Sequence, residues 1–373
     1  MRNVVIAGYA RSPFQLAYKG AFVRTRPDDL AAAVVRGLVA RTGVDVAAIE
    51  DLVMGCAFPE AEQGFNVARL VALLSGLPQS VGGMTVNRFC GSSMSAVHYA
   101  AGQIALGAGD VFIAAGVESM TRIPMGGYNP MPNPELAKNT AAFIGMGDTA
   151  ENLATKYGIS RAAQEAFALD SQRKAAEAIG AGHLVEEIVA VNGVTADGTP
   201  RPGTTAEGLA GLKPAFSQSG TVTAGTSSPL TDGASAVLVA SEEYARAAGL
   251  PILARIRSVA ISGCRPEIMG IGPVESSRKA LARAGISVAD LDVVELNEAF
   301  ASQSLACIAD LGLDGARVNI DGGAIALGHP LGATGARIVG KAASLLQRTG
   351  GRFALATQCI GGGQGIATVL ERV

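Results

Sequence analysis

Three residues in this chain could do nucleophilic and acid–base chemistry: Cys90, His329 and Cys359. Cys90 lies in Arg88-Phe89-Cys90-Gly91-Ser92-Ser93, at a strand-to-helix junction among small residues. Unpaired N–H groups and the positive dipole end at a helix start favour a thiolate. Such settings lower a cysteine pKa from ~8.5 to roughly 3.5–7.5. Cys90 reads equally well as a small core residue, because free cysteine is among the most buried residue types. His329 sits between glycines and a proline in Gly322–Gly335 (GGAIALGHPLGATG). That setting predicts a turn opening a helix, a rigid platform for a base that must reach a nucleophile. His98, on the helix after Cys90, and His183, after Gly182, read as structural or surface residues. No His/Cys spacing suits a zinc site, so no metal is expected.

Cys359 follows the strand-like Arg352–Thr357 and precedes Ile360-Gly361-Gly362-Gly363-Gln364-Gly365. That run lacks the Lys and Ser/Thr of a phosphate-binding P-loop. Its better use is to bare backbone N–H groups and admit a substrate beside Cys359. A flexible turn beside a buried cysteine is the alternative. Asn297 ends a strand at Asp292–Leu296, ahead of a helix carrying Ala301, Leu305 and Ile308. It reads either as a helix cap or as a polar group of a site.

The elements that must position these residues follow from patterning. Strands are expected at Val4–Ile6, Ile49–Met54, Met84–Asn87 and Asp110–Gly116. Helices are expected at Asp28–Thr42, Asn66–Leu74 and behind Cys90, where Met94, Val97, Ala101 and Ile104 recur at helical spacing. Between Ser119 and Ser228 the character changes: Pro, Asn and Gly cluster, and a polar helix is expected at Ser160–Ala178. Past Pro251 the first pattern returns. Val39–Ile49 aligns without gaps on Leu281–Leu291, each a helix end, a Gly stop and a lead into a strand. Val86-Asn87 echoes in Val318-Asn319, and Phe112–Ala114 in Phe353–Leu355. Two similar α/β halves explain the repeat. The expected division is 1–118 (completed by about 229–249), an inserted loop region at 119–228, and a second half at 250–373. Strands alternating with helices predict mostly parallel sheets covered on both faces.

Bulk properties exclude several classes. The chain has 373 residues, 49% of them hydrophobic, enough for two or three domains. With 17% charged residues and a net charge of −2, no nucleic-acid partner is indicated. The cysteines, five in number and without a CxxC pair, suit reduced thiols in a cytoplasmic setting. No apolar run is long enough to span a membrane, and the N-terminal one is too short for a secretory signal.

Taken together, VNRFCGSSMSAVHYAAGQI, NEAFASQ, GGAIALGHPLGATGARI and CIGGGQGIA resemble the thiolase family, in family order and spacing. MGDTAENLATKYGISR, RPGTTAEGL, KPAF and TVTAGTSSPLTDGASA extend the resemblance over almost the whole chain. It implies a five-layered αβαβα body from two βαβαβαββ halves with an inserted loop domain. It implies Cys90 as the acylated nucleophile, His329 as its activator and Cys359 as the acid/base at the acetyl-CoA carbon. Asn297 would hold a water that joins His329 in binding the thioester oxygen, and the N–H groups of Cys90 and Gly361 would form a second oxyanion hole. Arg201 would lie beside the adenine of CoA, with Phe216, Ala224 and Ser228 near the pantetheine and Met146 and Phe300 around the acyl path.

No cofactor is implied, coenzyme A being a substrate. Gly145 stands where biosynthetic members carry a His, so the resemblance implies a degradative 3-ketoacyl-CoA thiolase. The family suggests a homodimer or homotetramer, in some bacterial members joined to a hydratase/dehydrogenase partner. Alternatives are a biosynthetic acetoacetyl-CoA thiolase, a ketoacyl synthase relative, and a non-catalytic acyl-CoA-binding module. The second cysteine disfavours the synthase, and the four site residues together disfavour the binder.

Overall fold

A computed structural model describes residues 2–373. Its strands are β1 (Val4–Arg11), β2 (Gln15–Leu16), β3 (Ile49–Gly55), β4 (Gly82–Val86), β5 (Val111–Ser119), β6 (Thr231–Ser241), β7 (Ala254–Gly263), β8 (Val293–Leu296), β9 (Phe353–Ile360) and β10 (Gln364–Glu371). The helices of the two halves are α1 (Pro27–Thr42), α2 (Val67–Leu74) and α3 (Ser92–Leu106), then α8 (Glu242–Ala247), α9 (Gly272–Ala284), α10 (Ala301–Leu311), α11 (Ala324–Leu327) and α12 (Leu331–Thr349). Between β5 and β6 lie α4 (Pro134–Asn139), α5 (Met146–Tyr157), α6 (Arg161–Gly180) and α7 (Ala206–Ala210).

Side-chain alternation along the strands builds the layers. On β1, Val5, Ala7 and Ala10 face an outer core with α1 and α2, while Val4, Ile6 and Tyr9 face a central core with α3 and α12. On β9, Ala354 and Ala356 face that central core, and Phe353 and Leu355 face a third core with α9. The order is therefore helix, sheet, helix, sheet, helix. Helix α12 is buried on all sides from Leu331 to Ala343, as a helix between two sheets must be. Its small residues permit the fit: a Cβ on Gly335 would stand 2.3 Å from the Met94 nitrogen.

The strands run β4-β3-β5-β6-β1-β7-β10-β9-β8, so the two halves' layers are continuous through the pairing of Val5 and Ile6 with Arg255 and Ala254, and α12 packs across both. The expectation of mostly parallel sheets is wrong. Only β3–β4, β3–β5 and β8–β9 are parallel, and the other pairings are antiparallel. Two features reverse direction: the long excursion before β6, and the three-glycine turn that folds β10 back on β9. A helix-strand alternation says nothing about such returns.

The eleven-residue repeat is structural. Gly43 and Gly285 both end helices in left-handed conformation, at φ 65° and 71°. A 3₁₀ turn then leads into β3 or β8. Val318-Asn319 also matches Val86-Asn87: each asparagine donates to a carbonyl at or just past the end of a parallel strand, Ala57 O after β3 and Leu296 O at the end of β8. The Phe112/Phe353 echo fails, because Phe112 faces the central core and Phe353 the outer one. No described helix is long and apolar enough to cross a membrane.

Candidate active site

Cys90 occupies a 3₁₀ turn, Phe89–Gly91, between β4 and α3. Phe89 holds φ at 42°, a conformation that bulky residues rarely adopt and that is retained where surrounding structure forces it. What forces it is visible. Arg88 N–H donates to Ser92 Oγ, which donates to Phe89 O, and the Gln358 side-chain amide donates to the Cys90 carbonyl. The turn lies against the start of α12 and against β9. Leu331, two residues after His329, packs with Cys90.

The backbone N–H groups of Gly361 and of Cys90 itself lie near enough to the Cys90 sulfur to favour its thiolate. Burial outweighs both and pushes its thiol up to about 12. The lowered pKa suggested by a helix start does not appear: the nearby N–H groups come from the Cys90 turn and from Gly361 after β9, not from α3, and the cost of desolvating the partly buried thiol exceeds them. Cys359, 1% exposed near the end of β9, is likewise pushed up by burial and then by the proximity of Cys90.

His329 follows Gly328 (φ 92°) and precedes Pro330, the N-cap of α12, so it stands in a turn opening a helix. Its N–H donates to Thr231 Oγ1. Its Nδ1 lies 2.6 Å from Thr334 Oγ1, and that hydroxyl can donate to Pro330 O at 3.1 Å. The Thr334 oxygen then accepts from Nδ1–H, and Nε2 is left with a lone pair. Asn297 Nδ2 faces that nitrogen at 3.4 Å. Burial, with Arg337 nearby, drives the imidazole down to about 3, so it is neutral and basic-side out.

The capping reading of Asn297 fails, since α10 begins at Ala301 after Phe300. Asn297 is fully buried and its Oδ1 has no partner, which leaves an acceptor at the site for a water or substrate group. His98 instead contacts Thr368 Oγ1 at 2.8 Å inside the fold, and half-exposed His183 lies 3.8 Å from Asp321.

Residues expected near CoA divide in two. Met146, Phe300 and Cys359 share one apolar cluster, and Phe216 stacks edge-on to Phe300 at 5.8 Å. Ser228 is tied to the same loop, its N–H and hydroxyl both donating to Ala299 O. Arg201 and Ala224 are exposed on the inserted region. Gly145, also exposed, opens α5, and an added Cβ would meet only Asp148. Thr334 and Gln358 escaped the reading from sequence. Their signal was position alone: Thr334 in the first turn after His329-Pro330, and Gln358 directly before Cys359.

One half of the fold thus brings Cys90 up to Leu331 and Cys359 of the other half, where the segment carrying a neutral His329 begins α12, an arrangement of thiols and imidazole that suits acyl transfer. The N-terminal thiolase domain model matches residues 4–243 and the C-terminal one residues 250–372. The chain belongs to the thiolase family. It is 52% identical to a protein named 3-ketoacyl-CoA thiolase from Pseudoalteromonas translucida and 51% identical to one of that name from Aliivibrio fischeri, with 100% of each chain covered. A namesake from Shewanella denitrificans is 50% identical over the same full span.

Proposed function

We propose that this enzyme cleaves 3-ketoacyl-CoA thiolytically to acetyl-CoA and a shortened acyl-CoA, through an acyl-Cys90 intermediate. What supports it is that Cys90 packs against Leu331, two residues after His329, that Cys359 lies near enough to Cys90 to feel its charge, and that Asn297 faces the His329 Nε2 lone pair. As Cys90 attacks the keto carbon, its proton passes to His329 Nε2. The bond between the second and third acyl carbons breaks, and its electron pair becomes an enolate of acetyl-CoA. The enolate oxygen sits by the imidazolium and Asn297. Cys359 gives its proton to the enolate carbon, and acetyl-CoA leaves.

Incoming CoA then gives its thiol proton to the Cys359 thiolate. Its sulfur attacks acyl-Cys90, and the released Cys90 regains the proton from His329. The oxyanions of both tetrahedral intermediates meet the N–H groups of Cys90 and Gly361. A preorganised donor of this kind is worth roughly 2.7–4 kcal/mol. Neutral resting groups suit the scheme, since charge develops only during attack and is met by fixed donors in a dry site.

The degradative direction and acceptance of longer chains are supported by Gly145, which leaves the start of α5 open. Mass-spectrometric trapping of acyl-Cys90 from a 3-ketoacyl-CoA tests the scheme, and a Cys90→Ala enzyme that cleaves at the wild-type rate would refute it. CoA contacts by Arg201, Phe216, Ala224 and Ser228 belong to this reading, as does a cytoplasmic location, supported by five unpaired thiols. So does self-association: β4 forms an open, half-exposed sheet edge, and Phe65 beside it is 93% exposed. A monomer by light scattering would remove that element.

A further inference from the structure

Two buried carboxylates stand at either end of the segment that carries His329, and neither is in an ion pair among the described residues. Glu118, 1% exposed near the end of β5, accepts from Ala57 N–H and Gly332 N–H through Oε2, both at 2.8 Å. Its Oε1 accepts from Gln63 Nε2 at 2.8 Å and Phe58 N–H at 3.3 Å. Gly332 is the second residue of α12, so Glu118 caps from a distance the helix that His329 and Pro330 introduce. Glu298, 2% exposed after β8, accepts from Ile325 N–H at 3.1 Å, Ser171 Oγ at 2.7 Å and Asn319 Nδ2 at 2.8 Å. Ile325 is the second residue of α11, just ahead of His329.

Glycine makes room for both carboxylates. A Cβ on Gly323 would fall 2.0 Å from the Glu298 carboxyl carbon, and one on Gly332 would fall 2.8 Å from Glu118 Oε2. Each half of the fold thus supplies one acid, and each acid ends on a backbone N–H flanking the imidazole. Burying a carboxylate without a cation is costly. Glu118 fills both oxygens with donors, which a glutamine, with one oxygen, cannot match.

We infer that Glu118 and Glu298 are positioning residues for His329, holding the Gly323–Gly332 segment at both ends so that the imidazole faces Asn297. The inference rests on His329 acting as the base. Both acids act through backbone, so they touch no substrate. Misplacing a reacting group by an ångström costs about 10²-fold in rate.

The test is a set of double-mutant cycles on the full chain. Glu118→Gln, Glu298→Gln and Ser171→Ala are made in the wild type and in His329→Ala, and kcat, KM for CoA and melting temperature are measured. In the wild type, each Gln variant should lower kcat about 10²-fold with KM changed less than about twofold. In the His329→Ala enzyme the same substitutions should cost almost nothing more, because residues acting as one unit are not additive. Wild-type kcat in both Gln variants, or a full additive loss in the His329→Ala enzyme, overturns the inference. Should Glu118→Gln not fold, the Glu298 and Ser171 cycles decide it alone. If His329→Ala itself keeps wild-type kcat, the reading of His329 as base is what fails.

Discussion

The Thr334 hydroxyl stands 2.6 Å from Nδ1 of His329 and can donate a hydrogen bond to the Pro330 carbonyl. This fixes the proton on Nδ1 and turns the Nε2 lone pair toward Asn297. Thr334→Val removes the acceptor and keeps the shape. We expect kcat for thiolysis to fall about 10–100-fold, equivalent to the roughly 1–3 kcal/mol of an unmade buried hydrogen bond. Thr334→Ser should restore most of it. A valine enzyme at full rate would show that the tautomer is set by something else.

Burial holds Cys90 up to about 12 and His329 down to about 3, so both are neutral around pH 7. Alkylation of Cys90 in the free enzyme should therefore rise steadily with pH, tenfold per unit, from about 6 to 9 without a plateau. An inflection within that window would mean a resting thiolate–imidazolium pair.

The same burial makes stability depend on acid. Below about 6.5 the unfolded chain binds a proton on His329 that the folded chain refuses until about 3. Unfolding free energy should fall as pH drops through that window, by about 2 kcal/mol per buried imidazole between roughly pH 6.5 and 5. His98, also held down to about 3, adds a second such loss. Urea midpoints across pH check this, and His329→Asn should flatten the slope.

Asn297 offers a buried oxygen with no partner and an amide aimed at the imidazole. Asn297→Ala should remove the anchor of the water that donates to the thioester oxygen and lower kcat about 10²-fold or more, as loss of an oxyanion donor does elsewhere, with little change in KM. Steady-state thiolysis of a 3-ketoacyl-CoA reads both. A raised KM at unchanged kcat would place Asn297 in ground-state binding.

Gly147 on α5 touches the Phe216 ring so closely that a Cβ would fall 2.0 Å from Cδ1. Phe216 is 45% exposed and can swing away, giving up its edge contact with Phe300. Gly147→Ala should then raise KM for CoA thioesters about tenfold, the order of one lost aromatic contact, while the melting temperature holds because alanine favours a helix. An unchanged KM would remove Phe216 from the substrate path.

Much of this was legible in the residues. Glycine stops, strand alternation and the repeat of Val39–Ile49 in Leu281–Leu291 are local signals, and they returned the two halves. The positions of Cys90, His329 and Asn297 at element ends were also local. What escaped was set by distance in the chain. The directions of β6 and β10 depend on returns made far away. The protonation of Cys90 and His329 depends on how much water the closed fold excludes, and no helix-start rule carries that. Nothing local marks Glu118 or Glu298, because the backbone N–H groups they serve belong to remote segments.

The two halves meet in one sheet along a pairing of Val5 and Ile6 with Arg255 and Ala254. Cys90 belongs to one half, and His329, Asn297 and Cys359 to the other. Contacts between segments so far apart in sequence carry the heaviest loop-closure cost, and they form late in folding. A chain whose halves have each collapsed would show native-like secondary structure and no turnover. Regain of activity during refolding therefore times the closing of that seam, and should lag the recovery of helical signal.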